Sequence, residues 1–213
     1  KLVLVGNGMA GMRTLEELLT IAPDQYDITV FGAEPYGNYN RILLSPVLAG
    51  EKTVEQIMLN DLEWYAERGI TLHAGKAVTR INRARRQVIA ADGAFAPYDR
   101  LLLATGSDPI ILPVPGNDLP GVITFRDIQD VQAMVDAAHA GRKHAVVIGG
   151  GLLGLEAANG LMKQGMEVTV VHLLDVLMER QLDTEAAALL RASLEERGLR
   201  FLLGAQTVAI LGE

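Results

Sequence analysis

Two glycine-rich turns restrict the possible folds of this sequence more than any other feature. The first lies in LVLVGNGMAGMRTLEELLTIA, which is followed by ITVFGAE, and the second lies in HAVVIGGGLLGLEAANGLMKQGMEVTVVH. Each copy has an apolar run, glycines spaced G-x-G-x-x-G, apolar residues at helical spacing and a second apolar run. This order is typical of a βαβ unit in a parallel sheet. The sequence therefore predicts an α/β fold with two Rossmann-like dinucleotide-binding domains.

The three glycines of such a turn have different roles. The first permits the tight turn, the second lets the backbone approach a pyrophosphate, and the third lets the helix pack closely on the strand. The N-terminus of the helix then faces the anion. We expect the first turn to bind through Gly6, Asn7, Gly8, Met9, Ala10 and Gly11. We expect the second turn to bind through Gly149, Gly151, Leu153 and Gly154.

The residue after the second strand of each unit bears on the ribose. In the first unit an acid, Glu34, follows ITVFGA, 28 residues after Gly6, and completes the fingerprint in which a carboxylate holds a ribose hydroxyl. In the second unit the strand ends in His172. An acid there would favour an unphosphorylated ribose, and a nearby arginine would favour a 2′-phosphate. The choice between NADH and NADPH therefore stays open, and an alternative is that His172 only caps an exposed strand end.

The material between the two units differs in character. ITLHAGKAVTRINRARRQVIAADG predicts two β segments of an antiparallel meander, joined by an exposed basic turn. YDRLLLATGSDP predicts a buried strand that ends in Thr105 and Gly106, and the proline-rich SDPIILPVPGNDLPGV predicts a linker. These segments predict an FAD-type nucleotide domain over 1–108, a linker over 109–120 and a second nucleotide domain over 121–213. Trp64 and Tyr65 are expected to pack a short helix on the first domain, and Asp183 to cap the last helix.

Composition excludes several classes of function. The net charge of -7 argues against nucleic acid or an anionic membrane as the main partner. No apolar run approaches the ~20 residues of a membrane span, and KLVLVG lacks the features of a secretory signal, so we expect a cytoplasmic protein. The absence of cysteine removes disulfide, thiolate and iron–sulfur chemistry from this chain. The histidines show no metal-ligand spacing and no Ser/His/acid set is evident, so no metal site or catalytic side chain is predicted.

The order of the motifs resembles a known family. G-x-G-x-x-G, then ATG, then a proline-rich crossover with TFR, then GGGLLGLE is similar to the FAD-dependent pyridine nucleotide oxidoreductases, which have a glutathione-reductase-like fold. The resemblance covers nearly the whole chain. Within the family, FGAEPYGNYNRILLSPVLAGE and HLLDVLMERQLD look most like the amino-terminal region of NAD(P)H-dependent nitrite reductase large subunits. Ferredoxin and rubredoxin reductases are the next most similar group.

The resemblance implies roles for particular residues. FAD would occupy the first unit, with Glu34 on the adenosine ribose, Arg41 near the phosphates and the backbone around Val78 on the adenine, while Thr105 and Gly106 line the path of the flavin. NAD(P)H would occupy the second unit, with Glu156 directed toward the nicotinamide. An alternative for Glu156 is simple dipole complementarity in the first turn of its helix. Where ferredoxin reductases carry a lysine after Leu-Ser, this chain has Pro46.

The resemblance also implies a function. Hydride would pass from NAD(P)H to FAD, and electrons would continue to an acceptor domain or protein. In nitrite reductases that route runs through iron–sulfur clusters and siroheme, which this cysteine-free chain could not ligate. The sequence stops at GAQTVAILGE, so we expect a truncated second domain, weakened FAD retention and no nitrite reduction by this chain alone. Stoichiometric FAD after extensive dialysis would contradict the expectation on retention. The alternatives are a cut ferredoxin or rubredoxin reductase and a non-catalytic nucleotide-binding redox module.

Overall fold

The computed structural model describes residues 1–212. Its strands are β1 (Leu2–Val5), β2 (Ile28–Phe31), β3 (Asn38–Tyr39), β4 (Met58–Asn60), β5 (Thr71–His73), β6 (Val78–Asn82), β7 (Gln87–Ala90), β8 (Phe95–Pro97), β9 (Arg100–Leu103), β10 (His144–Ile148), β11 (Glu167–Val171) and β12 (Arg200–Leu202). Its α-helices are α1 (Met9–Ile21), α2 (Leu44–Leu48), α3 (Leu62–Glu67), α4 (Ile128–His139), α5 (Leu152–Lys163) and α6 (Thr184–Glu196). The fold is the predicted α/β class.

The chain divides into two compact units. The first comprises Lys1–Arg41 and Glu55–Ser107, and the second comprises Ile42–Val54 and the chain from Asp108 onward. The sequence pattern did not indicate that a segment of 13 residues leaves the first unit and packs within the second. The proline-rich stretch 109–120 contains no helix or strand, as its four prolines predict.

The first unit is built on a parallel sheet with the strand order β5-β2-β1-β9. The order places β1 at the centre, where β2 and β9 pair with it along its whole length. All four residues of β1 are buried. A strand covered on both faces reads as a continuous apolar run, which explains the sequence LVLV.

The two faces of β1 belong to two different cores. Leu2 and Leu4 pack with Met12 and Leu15 of α1 and with Tyr65 of α3. Val3 and Val5, which point the other way because strand side chains alternate, join a second core whose remaining members are Phe31 and three residues of the meander, Val88, Ala90 and Ala96. The predicted packing of the short helix with Trp64 and Tyr65 on this unit is confirmed.

The meander is an antiparallel sheet with the order β6-β7-β8, and its basic turn is exposed as predicted. Three details of the predicted strands are wrong. Residues 71–73 do not belong to the meander, since they form β5, which pairs in parallel with β2. The strand over RLLL is not buried but partly exposed, because β9 lies at the edge of its sheet, and it ends at Leu103 rather than at Thr105 and Gly106.

The second unit repeats the pattern on a smaller sheet. Its parallel strands have the order β10-β11-β12, and α5, which connects β10 to β11, packs on both of these strands. The helix α2 packs against α4 and α5 within this unit. Among the described residues, no helix combines the length and the apolar character that a membrane span requires.

Candidate dinucleotide-binding sites

The two glycine turns have the same backbone geometry. Gly6 follows β1 with a φ of 107°, and Gly149 follows β10 with a φ of 122°. These are conformations that a residue with a Cβ rarely adopts. The N–H of Gly6 donates to the carbonyl of Phe31 at 2.9 Å, and the N–H of Gly149 donates to the carbonyl of Val171 at 2.8 Å. Each turn is therefore fixed to the end of the neighbouring parallel strand.

The third glycine of each turn permits a close approach of the helix. A Cβ added to Gly11 would lie 2.9 Å from the carbonyl oxygen of Gly6, and one added to Gly154 would collide with the carbonyl oxygen of Gly149. The second glycine is different. A Cβ added to Gly8 or Gly151 would meet nothing within 4 Å. Open space in front of these two backbones fits the predicted approach of a pyrophosphate.

The helices that follow the two turns begin without a capping side chain. Neither α1 nor α5 has a side-chain hydrogen bond at its N-cap or an acidic residue in its first turn. By contrast, α3, α4 and α6 are each capped by an aspartate, namely Asp61, Asp127 and Asp183. The prediction for Asp183 is thus confirmed. Uncapped N–H groups at the positive end of a helix dipole are donors for an anion, and apart from the five-residue α2, only the two fingerprint helices among the described α-helices leave them uncapped.

Three polar side chains cluster after β2 in the first unit. The Arg41 guanidinium donates to Glu34 Oε1 at 2.5 Å, and the Tyr39 hydroxyl donates to Glu34 Oε2 at 2.6 Å. The guanidinium carbon also lies 5.0 Å from the centre of the Tyr39 ring. Both Glu34 and Arg41 are about three-quarters buried. The structure therefore brings the two predicted residues together, and it adds Tyr39, which the local sequence pattern did not single out.

Asn7, between the first two glycines, is held on both sides of its amide. Its Oδ1 accepts from the Tyr65 hydroxyl at 2.7 Å, and its Nδ2 donates to the carbonyl of Tyr36 at 3.2 Å. The Tyr65 hydroxyl in turn accepts from the backbone N–H of Asn38 at 3.2 Å. Burial raises the pKa of Tyr65 to about 12. Tyr65 is thus a neutral donor that fixes the glycine turn, a role that its sequence position did not reveal.

The other residues predicted for the first site lie as follows. Ala104 packs against the glycine turn so closely that a Cβ at Gly6 would collide with its carbonyl, and the adjacent Thr105 and Gly106 are exposed. Val78 is half-buried at the start of β6 and packs on the core between the sheet and the meander. Met9 and Ala10 begin α1. These placements agree with the predicted roles, which stay predictions.

Glu156 lies one turn into α5, which begins at Leu152, so the interpretation as a first-turn carboxylate is wrong. Its Oε2 instead accepts from the Ser45 hydroxyl of α2 at 2.5 Å. The segment that carries Ser45 is fixed on the same face of α5 by a hydrogen bond of 2.7 Å from Gln164 Nε2 to the Leu48 carbonyl and by an ion pair between Lys163 and Glu51. The carboxylate of Glu156 therefore has a defined direction. Leu153, also predicted for this site, is exposed in the first turn of α5.

His172 is not the exposed cap of a strand end, because only 11% of its side chain is accessible. Its Nδ1 accepts from the backbone N–H of Gly150 at 3.1 Å, and its Nε2 lies 3.3 Å from Glu179 Oε2. The pKa of the Glu179 carboxyl lies below its usual range, first because its own backbone N–H bonds to it and then because of His172. Both ring nitrogens are therefore engaged within the protein.

The described residues contain no group of three or more histidine, aspartate or glutamate side chains that could hold a metal ion. Two parallel-sheet units, each with a glycine turn and an uncapped helix, define a protein of the class that binds two dinucleotides. Comparison with known proteins gives the family. The chain belongs to the pyridine nucleotide-disulphide oxidoreductases, whose family model matches residues 1–213. The predicted family is confirmed.

Two curated proteins and one solved structure illustrate what this chain is similar to. The chain is 54% identical over 213 residues to Nitrite reductase [NAD(P)H] of Bacillus subtilis, covering 100% of this chain and 26% of that protein. It is 50% identical over 212 residues to the assimilatory nitrate reductase electron transfer subunit of the same organism, covering 100% of this chain and 27% of that protein. The solved covalent putidaredoxin reductase–putidaredoxin complex matches with a TM-score of 0.86 and 32% identity, covering 100% of this chain and 51% of that chain. The chain thus spans about a quarter of these two curated relatives and about half of this solved one.

Proposed function

We propose that this chain is the electron-input module of an NAD(P)H-dependent nitrite reductase, working in the cytoplasm. It is a flavoprotein oxidoreductase module that uses FAD and NAD(P)H. The observation that carries the proposal is the pair of equivalent glycine turns, each of which presents an uncapped helix to open space. The 54% identity to a nitrite reductase over the full length of this chain supports the choice of branch.

FAD binds to the first unit in this proposal. The N-terminus of α1 and the backbone of Gly8 bind its pyrophosphate. Glu34 accepts from the adenosine ribose, and Tyr39 and Arg41 hold its carboxylate in position while Arg41 offsets phosphate charge. Val78 lies beside the adenine, and Thr105 and Gly106 line the way to the flavin. The Glu34 carboxylate and the Arg41 guanidinium lie side by side in space. This pair suits a ligand in which hydroxyl groups that donate hydrogen bonds lie next to phosphate groups that accept them.

The pyridine nucleotide binds to the second unit. The N-terminus of α5, with Gly149, Gly151 and Gly154, binds the pyrophosphate, and Ser45 directs the carboxylate of Glu156 toward the carboxamide end. When bound, NAD(P)H supplies a hydride that FAD accepts, and the cofactors carry this chemistry. The protein groups bind and orient the two ligands. Iron–sulfur clusters and siroheme, if the whole protein is a nitrite reductase, belong to other parts of the polypeptide, because this sequence has no cysteine.

The reduction of bound flavin tests the proposal. The 213-residue protein, loaded with FAD under anaerobic conditions, should lose its flavin absorbance on addition of NADH or NADPH. It should then reduce ferricyanide but not nitrite, whereas the complete polypeptide should reduce nitrite. The same titration compares the two pyridine nucleotides. If neither nucleotide bleaches the flavin, the chain is a binding module without turnover, and if the complete polypeptide reduces a ferredoxin but not nitrite, it is a ferredoxin reductase.

A further inference from the structure

The ends of the second strands in the two units are equivalent. After β2, the N–H of Gly32 donates to the His73 carbonyl at 3.1 Å, and the Gly32 carbonyl accepts from Lys76 N–H at 2.8 Å. After β11, the N–H of His172 donates to the Leu202 carbonyl at 2.9 Å, and the His172 carbonyl accepts from Ala205 N–H at 2.9 Å. His73 and Leu202 each end the next parallel strand. Position 172 of the second unit therefore corresponds to position 32 of the first.

The two units fill the space beside the glycine turn from opposite sides. In the first unit the turn carries the side chain, Asn7, and the strand end is glycine, since a Cβ at Gly32 would lie 2.9 Å from the Cβ of Asn7. In the second unit the strand end carries the side chain, His172, and the turn is glycine. A Cβ at Gly150 would lie 2.9 Å from the His172 ring and 2.6 Å from Cδ2 of Leu177.

The His172 ring acts on the backbone of the turn. Its Nδ1 accepts the N–H of Gly150, so the ring hydrogen resides on Nε2, which points to Glu179. The Gly150 carbonyl accepts from the N–H of Met178 at 3.1 Å. Met178 has a φ of 54°, a conformation that is uncommon for a residue with a long side chain. Both polar groups of Gly150 are thus fixed, one residue before the N-cap of α5.

We propose that His172 is the positioning residue of the pyridine nucleotide site. It holds the turn at Gly150, as Asn7 holds the turn of the FAD site, and so orients the N–H groups at Gly151 and the start of α5. It does not contact the ribose, because its two ring nitrogens are engaged by Gly150 and Glu179. This inference rests on the proposed function, in which the second unit binds NAD(P)H.

An exchange of the two residues tests the proposal. The variants are His172→Gly, Gly150→Asn and the double variant, which gives the second unit the arrangement of the first. The backbone of Gly150 is not in the left-handed region, so asparagine needs no strained φ there, and in the double variant the end of the Leu177 side chain has to shift away from the added Cβ. Each single variant should weaken NADH and NADPH binding about tenfold, the loss of about one good hydrogen bond. The double variant relieves the clash between the two side chains but still lacks the Nδ1 acceptor, so it should be about as weak as His172→Gly alone, measured by calorimetry on FAD-loaded protein.

A conservative variant separates positioning from packing. His172→Asn keeps an acceptor at the place of Nδ1 and should retain affinity within about threefold, while FAD affinity should stay constant in all four variants. Wild-type affinity in His172→Gly, or a double variant as weak as the product of the single effects, would overturn the proposal. Equal losses in His172→Asn and His172→Gly would reduce His172 to a packing role. If the unaltered protein binds neither nucleotide, the proposed function itself fails, and this inference fails with it.

Discussion

Tyr65 shows how a single hydroxyl group fixes the first glycine turn. It donates to Asn7 and accepts from the N–H of Asn38, and its side chain is almost completely buried. Tyr65→Phe would remove the partner of the buried Asn38 N–H and of the partly buried Asn7 Oδ1, so we expect the free energy of unfolding to fall by ~1–3 kcal/mol. Tyr26→Phe, at a partly buried tyrosine packed on the same core, is the matched control and should change it by less than ~0.5 kcal/mol. Denaturant unfolding measures both.

The pH dependence of this effect has a definite sign. Burial raises the pKa of Tyr65 to about 12 in the folded protein, above the ~10 of an unfolded tyrosine. A raised pKa contributes stability that is complete below pH ~10 and is lost as the pH rises toward the folded value. The difference in stability between the unaltered protein and Tyr65→Phe should therefore be smaller at pH 11 than at pH 9. A difference that grows with pH would contradict the assignment.

At the scale of residues, the sequence predicted which positions matter better than which side chains meet. Glu34 was placed in the site by its position after the second strand and Arg41 by the family resemblance, and the structure joins them directly. Tyr39 and Tyr65 were not predicted as site residues. Their contacts connect positions that no local periodicity relates, such as Tyr65 and Asn7 at a separation of 58 residues. Glu156 was predicted, but its partner Ser45, 111 residues away, could not be.

The packing of α2 on α5 depends on the absence of one Cβ. Leu48 of α2 is completely buried, and a Cβ added to Gly160 would lie 2.6 Å from its Cγ. Gly160→Ala should raise helix propensity by ~1 kcal/mol, yet we expect net destabilisation of ~1–3 kcal/mol because the added carbon overpacks the contact. Adding Leu48→Ala should reverse part of that loss, so that the double variant is less destabilised than the sum of the singles. Additive effects, measured by thermal unfolding, would show that the two residues do not interact.

The loops after the second strands suggest where nucleotide specificity can be altered. Gly75 N–H donates to the Glu34 carbonyl and Gly204 N–H donates to the Leu174 carbonyl, each at 2.9 Å, so Leu174 corresponds to Glu34. Leu174→Glu would place a carboxylate where the FAD unit has one. Since a carboxylate repels a 2′-phosphate, we expect NADPH affinity to fall more than NADH affinity, by about tenfold. Leu173→Glu, at the exposed neighbouring position, is the control and should affect both nucleotides alike.

Strong periodic signals predicted the elements best. α1 and α5 follow glycine turns and have helical apolar spacing, and both were predicted correctly. β5 was assigned to the meander because three residues, TLH, carry too little pattern to show which sheet they join. The RLLL run predicted a buried strand, but an apolar run reports composition and not the position at a sheet edge, where β9 lies. The helix α2 was not predicted, because it is only five residues long and its sequence, LSPVL, contains a proline.

At the scale of the whole molecule, the two glycine turns predict two independent binding defects. Gly8→Ala and Gly151→Ala each add a Cβ that meets no protein atom within 4 Å, so stability should change by less than ~0.5 kcal/mol. We expect Gly8→Ala to weaken FAD binding, and Gly151→Ala to weaken only NAD(P)H binding, each about tenfold. Gly6→Ala is the contrasting control, because its Cβ collides with the Ala104 carbonyl and it should therefore destabilise the fold. Separate titrations with each dinucleotide measure the two affinities, and a loss of both in one variant would contradict the assignment.

The overall architecture was readable because the same βαβ pattern occurs twice, and a repeated pattern is stronger evidence than one copy. The unit to which residues 42–54 belong could not be predicted from the sequence. The sequence placed residues 36–51 with the first unit, in which the chain has just formed β2, whereas packing on α4 and α5 assigns 42–54 to the second unit. Only contacts between residues distant in sequence, such as the packing of Leu48 on Gly160, show that this segment belongs to the second unit and not to the first.

Residues 42–54 belong to the second unit although the residues on either side of them belong to the first, and this limits how the protein can be divided into fragments or made into chimeras. The chain passes between the units after Arg41, after Val54 and after Ser107, so no single cut yields two self-sufficient pieces. A protein made from residue 108 onward would lack the helix that covers Gly160 and the hydroxyl that holds Glu156. A chimera that exchanges the pyridine nucleotide unit between two reductases must therefore include residues 42–54 as well as the part from residue 108 onward. Otherwise α2 of one reductase would have to pack on α4 and α5 of the other.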